Sequence, residues 1–163
     1  MRRTQYTILL VCEGYAEEAY ARVMRDLYLP RGCGTALQPR NARGYGAAGA
    51  LNLAVQLQKQ TAHDAYGILI DTDQHWTDDD RARARECGIV AIENSPCLEA
   101  TLLLIDGERA RHQSRENKDV FADRYNGPAH RDGVISRHFT REKIDAARTR
   151  VPAVDAFLRL IRI

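Results

Sequence analysis

No apolar run in this chain is long enough to cross a membrane, and its four cysteines include no CxxC pair. The first absence argues against a membrane-spanning helix. The second leaves Cys12, Cys33, Cys87 and Cys97 scattered, two of them in apolar runs, which predicts structural thiols rather than a disulfide framework or a zinc site. No small-residue cleavage site follows Met1-Arg-Arg-Thr4, and the chain is read as cytoplasmic. Lysine is scarce: of 24 basic residues only Lys59, Lys118 and Lys143 are lysine, and the rest are arginine. Arginine suits bidentate phosphate recognition, although a compositional bias of the source genome would produce the same preference. The net charge of +2 implies no particular partner by itself.

What is present is the composition of a soluble globular protein, 44% hydrophobic and 28% charged over 163 residues. That length predicts one domain, 1–163, with enough chain for a real core. No repeat or low-complexity segment interrupts it. Residues 1–105 carry an α/β pattern, whereas 106–163 read as a basic loop region followed by terminal helices.

The organising stretch is Tyr66-Gly-Ile-Leu-Ile-Asp-Thr-Asp-Gln-His-Trp76. Residues 66–70 are long enough for a buried strand and too short for a helix. The run breaks into Asp71-Thr-Asp73, two carboxylates where open α/β sheets place their ligands. Alternation directs both to the same side, toward one hard cation. Residues 8–12 form a similar run and also end in an acid, Glu13, followed by Gly14.

Between and beyond these strands the chain alternates. Residues 16–29 predict a helix, with Tyr20, Val23, Met24 and Leu27 on its buried face and Glu17 and Glu18 in its first turn. Residues 35–38 are a weak strand stopped by Pro39. Thr77 reads as an N-cap with Asp78 to Asp80 as its acidic first turn, opening a helix to about residue 87. Residues 88–92 are the fourth strand. After it, Ser95 caps a short apolar helix, with Pro96 at the first position and Glu99 in the first turn. Residues 106–137 are polar and without period, a solvated loop region, and 140–150 and 153–163 are helices separated near Pro152. The alternation predicts a three-layer α/β/α fold on a mainly parallel four-stranded, Rossmann-like sheet with a helical C-terminal extension. The acids after strands one, three and four then converge on one edge.

Gly44-Tyr-Gly-Ala-Ala-Gly49 matches GxGxxG and opens a helix over 47–61, with Asp71 about twenty residues on. A dinucleotide site needs those glycines tight against a strand end, and residues 39–43 look too polar for a strand. A flexible loop carrying Arg40 and Arg43 toward phosphates is the better description.

Val11-Cys-Glu-Gly14 with Glu17, Glu18 and Tyr20, then Ile70-Asp-Thr-Asp73, then Asn94-Ser-Pro-Cys-Leu-Glu99, resemble in order the motifs of RloB-like proteins, a branch of the Toprim-related nucleases. The likeness covers roughly residues 8–104. It departs at Ala21 and Leu98, where the family usually carries aromatic residues. It implies a Toprim-like sheet, a magnesium site at Glu13, Asp71 and Asp73, and cleavage of DNA or RNA. It also implies a role as effector in antiphage defence beside an ATPase partner. Magnesium, or manganese, would find oxygen ligands there and neutralise charge on a phosphodiester. Glu99 is the candidate for a second metal or an outer-shell acid, and Glu17 a weaker one. Arg40, Arg43, Arg111, Arg115 or Lys118 would hold the backbone. His75 is either a phosphate donor or a surface residue, and Trp76 either packs or stacks on a base. The alternative is a non-catalytic α/β module that binds nucleotide or protein. Acids that repel one another without a metal would be costly in such a module.

Overall fold

Four runs rich in aliphatic residues become strands in the computed structural model, which describes residues 5–163. They are β1 (Tyr6–Cys12), β2 (Thr35–Asn41), β3 (Ala65–Asp71) and β4 (Ile89–Asn94). All pair in parallel, in the order β2-β1-β3-β4. β1 and β3 are central and covered on both faces, so their last five residues are buried without alternation. β2 and β4 lie at the edges and alternate. An edge position leaves β2 with a weak apolar pattern and lets it run past Gln38 to Asn41. Pro39 sits within it opposite Leu10, because an edge strand leaves part of its backbone outside the ladder and tolerates a missing N–H.

Two layers of helix cover the sheet. Leu10, Cys12, Leu69 and Ile92 point into a core shared with α1 (Tyr15–Tyr28), α4 (Leu98–Ile105), α5 (Ser114–Tyr125), α6 (Val134–His138), α7 (Arg141–Ala147) and α8 (Pro152–Leu160). Val11, Ile68 and Ile70 point the other way, against α2 (Gly46–Gln60), α3 (Asp78–Glu86) and Trp76. The result is the three-layer α/β/α arrangement with a helical C-terminal part. α8 lies so close over β3 that a Cβ on Gly67 would stand 2.7 Å from a methyl of Leu160. Among the described residues no helix is long and apolar enough to cross a membrane.

The expected loop over 106–137 instead contains α5 and α6. The buried face of α5 is only Asn117, Phe121 and Tyr125, and a buried asparagine hides the apolar period. Asn117 is satisfied locally: its amide donates to the carbonyls of Arg111 and Gln113 at 2.9 Å and accepts from the Arg111 N–H at 2.8 Å. Ser95 does not cap α4. The Ser95–Pro96 peptide is cis, and the helix begins at Leu98 with no side-chain cap from Cys97. The two terminal helices are separated next to Pro152, which is the first residue of α8. Thr77 is the expected N-cap and forms a capping box with Asp80, and Asp78 to Asp80 are helix-start acids. The four thiols are free, with Cys12 and Cys97 buried.

Candidate functional site at the carboxyl end of the sheet

The chain leaves β1 for β2 on one side and then crosses back to β3 on the other, so winding reverses between β1 and β3. Ligands of open α/β sheets bind outside the strand ends at such a point. Glu13 and Asp71 are the residues delivered there. The Glu13 N–H donates to the Leu69 carbonyl at 3.0 Å, extending the ladder one residue past β1. The Asp71 N–H in turn donates to Glu13 Oε2 at 2.8 Å. A cavity of about 470 Å³ opens above them, lined by Glu13, Glu17, Asp71, Glu99 and Lys118 with Gly14 and its neighbours.

Local chemistry fixes each acid. Glu17 lies in the first turn of α1, and its Oε2 accepts from the Gly14 N–H at 3.0 Å. Asp71 Oδ1 accepts from the Leu98 N–H at 2.9 Å and so caps α4 in place of Ser95. Glu99 is buried in the first turn of the same helix. Asp73 is separated from Asp71 by a turn: the N–H groups of Thr72 and Asp73 both donate to the Pro96 carbonyl, at 3.2 and 3.1 Å. Asp73 is exposed, outside the cavity lining, and accepts from Ser114 Oγ at 2.6 Å.

These acids crowd each other. Burial, followed by the charges of Glu17, Glu13, Glu99 and Asp73, pushes Asp71 up to about 9. Burial, with Glu13 and Glu99, pushes Glu17 up to about 7 despite its amide hydrogen bonds. Burial also raises Glu13, with Asp73 adding to it. Burial alone would lower the Lys118 ammonium, but Glu99, Asp71 and Asp73 outweigh it and raise its pKa. The cavity is short of positive charge.

A hard cation suits this donor set. The candidate ligands are carboxylate oxygens, and in Glu13, Glu17 and Asp71 one oxygen is held by a backbone amide while each group keeps a second. Asn94, paired in register with Asp71, is fully buried with both amide atoms unpartnered among the described residues. Among the described residues no three His, Cys, Asp or Glu side chains are gathered closely enough to enclose a metal ion.

Of the five basic residues expected to hold phosphate, only Lys118 lines the cavity. Arg40 is exposed on β2, Arg115 is exposed on α5, and Arg43 is exposed in the glycine loop. The Arg111 guanidinium donates to the Arg109 carbonyl at 2.6 Å. His75 is exposed with φ 53°, while Trp76 packs in the second core and donates to Glu93 at 2.9 Å. Ser114 and the cavity-lining His130 and Pro128 were not singled out from the sequence. The only sign of them was the concentration of basic and polar residues after 106. The glycine loop does follow a strand, since β2 runs to Asn41, and the Gly44 N–H donates to the Glu13 carbonyl at 2.9 Å. No protein-family model matches the chain, and neither a curated protein nor a solved structure is significantly similar to it.

Proposed function

We propose that this chain is a divalent-cation-dependent phosphodiesterase acting on nucleic acid, a nuclease of the Toprim type. The observation that carries the reading is the meeting of Glu13, Glu17, Asp71 and Glu99 with Lys118 in one cavity at the switch point of a parallel sheet. The resemblance of residues 8–104 to RloB-like proteins supports the same assignment, and with it an ATPase partner and a defence role.

Glu13, Asp71 and Glu99 would hold magnesium or manganese, with Asp73 at the rim. When bound, the cation would neutralise charge on a phosphoryl group and make a water ligand more acidic. The Asp71 amide orients Glu13 through its bond to Oε2. Glu17, raised to about 7 by burial and its acidic neighbours when no cation is bound, would hold or release a proton beside these ligands. Lys118, kept charged by the surrounding acids, would hold a nonbridging phosphate oxygen.

One observation favours the second reading, a non-catalytic binding module: Asp71 and Glu17 already serve helix starts, at Leu98 and Gly14. Cleavage separates the two. Labelled single- and double-stranded DNA and tRNA are incubated with magnesium or manganese and wild type or Asp71→Asn. The nuclease reading expects metal-dependent products that vanish in the variant. A chain that cleaves none of them and is not stabilised by either metal is the binding module.

A further inference from the structure

Among the described residues, the large hydrophobic side chains left exposed are Tyr15, Tyr45, Val90 and Ile163. Tyr15 stands at the acid cavity and Tyr45 on the groove beside it. Tyr15, the first residue of α1, is 68% exposed and lines the cavity. Tyr45 is 80% exposed and lines, with Arg43, a separate groove along α2; Gly44 between them lines the acid cavity, so the two surfaces adjoin. α1 covers one face of the sheet and α2 the other, so the tyrosines reach the carboxyl edge from opposite layers. Single exposed aromatics are ordinary on a protein surface. Two on adjoining surfaces, one in the acid cavity and one in the groove next to it, are a different observation.

The backbone is shaped to present Tyr45. Gly44 and Gly46 on either side of it have φ 77° and 73°, in the left-handed region. One turn into α2, a Cβ on Gly49 would come within 2.6 Å of the Tyr45 Cβ. Only a residue without a side chain lets Tyr45 sit down on the helix there, with most of its surface left in solvent. All three glycines of the GxGxxG motif are thereby accounted for without a dinucleotide. Basic side chains lie on both surfaces: Arg43 lines the α2 groove with Tyr45, and Lys118 and His130 line the acid cavity.

We propose that Tyr15 and Tyr45 form a stacking platform for unpaired bases, with Arg43, Lys118 and His130 following the phosphate backbone, so that the site takes single-stranded rather than duplex nucleic acid. The proposal rests on the phosphodiesterase reading of the same cavity. A base within a duplex has both faces covered by its neighbours, whereas an unpaired base can lay one on an exposed ring. DNA and RNA share this chemistry, and the experiment separates them.

Short labelled single strands of DNA and of RNA, and their duplexes, are titrated by fluorescence anisotropy in calcium. The proteins are wild type, Tyr15→Ala, Tyr45→Ala and the two Tyr→Phe variants. One strand set carries a fluorescent purine analogue whose emission is quenched on stacking. The expected result is preference for one or both single strands over duplex. Each alanine variant then loses about 10-fold in affinity together with the quenching, and each phenylalanine variant keeps both. Duplex bound as tightly as single strand, alanine variants that bind like wild type, or absence of binding overturns the proposal. Metal-dependent cleavage is read separately, so a chain that cleaves duplex refutes the platform and leaves the phosphodiesterase reading standing. A chain that stacks single strands but neither cleaves nor responds to metal does the reverse.

Discussion

The backbone N–H of Asp71 donates to the carboxylate of Glu13 at 2.8 Å, joining the ends of the two central strands where the winding of the sheet reverses. Two residues 58 positions apart thus hold each other at the mouth of the cavity. The amide fixes one oxygen of Glu13, and the Asp71 carboxylate is turned to α4, where it caps Leu98. The acid cluster is consequently a structural joint as well as a candidate site, and substitutions in it will be read in both stability and chemistry.

The first prediction concerns pH. The folded-state pKa of Asp71, about 9, lies above its unfolded value of about 3.9. Between those values the folded state binds more protons than the unfolded state, so stability falls as pH rises. Glu17, raised to about 7, acts in the same direction over the lower part of that window. In chelator, thermal melts between pH 5 and pH 9 should show a falling Tm for wild type and a flatter profile for Asp71→Asn. The asparagine Oδ1 can still accept from Leu98, so the cap survives. Parallel profiles would contradict this electrostatic account.

Cation binding should offset the same repulsion. Magnesium or manganese at about 100 times its Kd would stabilise the folded state by about 2.7 kcal/mol, which for a chain of this size raises Tm by about 5–10 °C. Asp71→Asn and Glu99→Gln should each abolish most of the rise. Differential scanning fluorimetry with and without chelator measures it, and an equal rise in both variants would place the cation elsewhere.

Away from the cavity, Asp106 ties the end of α4 to α5 and α7. It accepts from Lys143 Nζ at 2.6 Å, from the Tyr125 hydroxyl at 2.7 Å and from Arg124 at 3.1 Å. Burial works against the ionised form, but these three donors outweigh it and lower the pKa to about 2. The stability gained is present above the unfolded value of about 3.9 and is lost as pH falls toward 2. Asp106→Asn should therefore cost about 2 kcal/mol at pH 7, shrinking progressively below pH 4. Urea unfolding at both pH values checks it.

Gly67 tests the docking of the last helix. A methyl group added there meets Leu160 at 2.7 Å and Leu10 at 3.1 Å, both buried. Gly67→Ala should destabilise by about 1–3 kcal/mol through overpacking. Leu160→Ala alone should cost about 2–5 kcal/mol through the cavity it leaves. In the double variant the new methyl occupies part of that space, so the combined cost should be less than the sum of the two single costs. Strict additivity in denaturant melts would mean that α8 does not bear on β3 at this point.

The amino-acid sequence by itself determined the central strands, the parallel α/β class and the acids that lead out of β1 and β3. It could do so because strands buried on both faces must be continuously apolar, and a carboxylate at the end of such a run marks where the strand ends. β2 was only half legible: an edge strand alternates, and Pro39 reads as a stop unless the strand is known to lie at the edge. α5 was not legible, since its buried face is three residues long and includes an asparagine satisfied by its own loop. The tertiary structure alone decided which charges share the cavity. It turned Asp73 away from Asp71 toward Ser114, and brought Lys118 in from a helix that had no visible period. It left Arg40, Arg111, Arg115 and His75 outside the lining. Local pattern reports whether a residue meets apolar surface or water. Which distant side chains meet one another depends on strand order and helix docking, and these follow from packing that only the folded chain supplies.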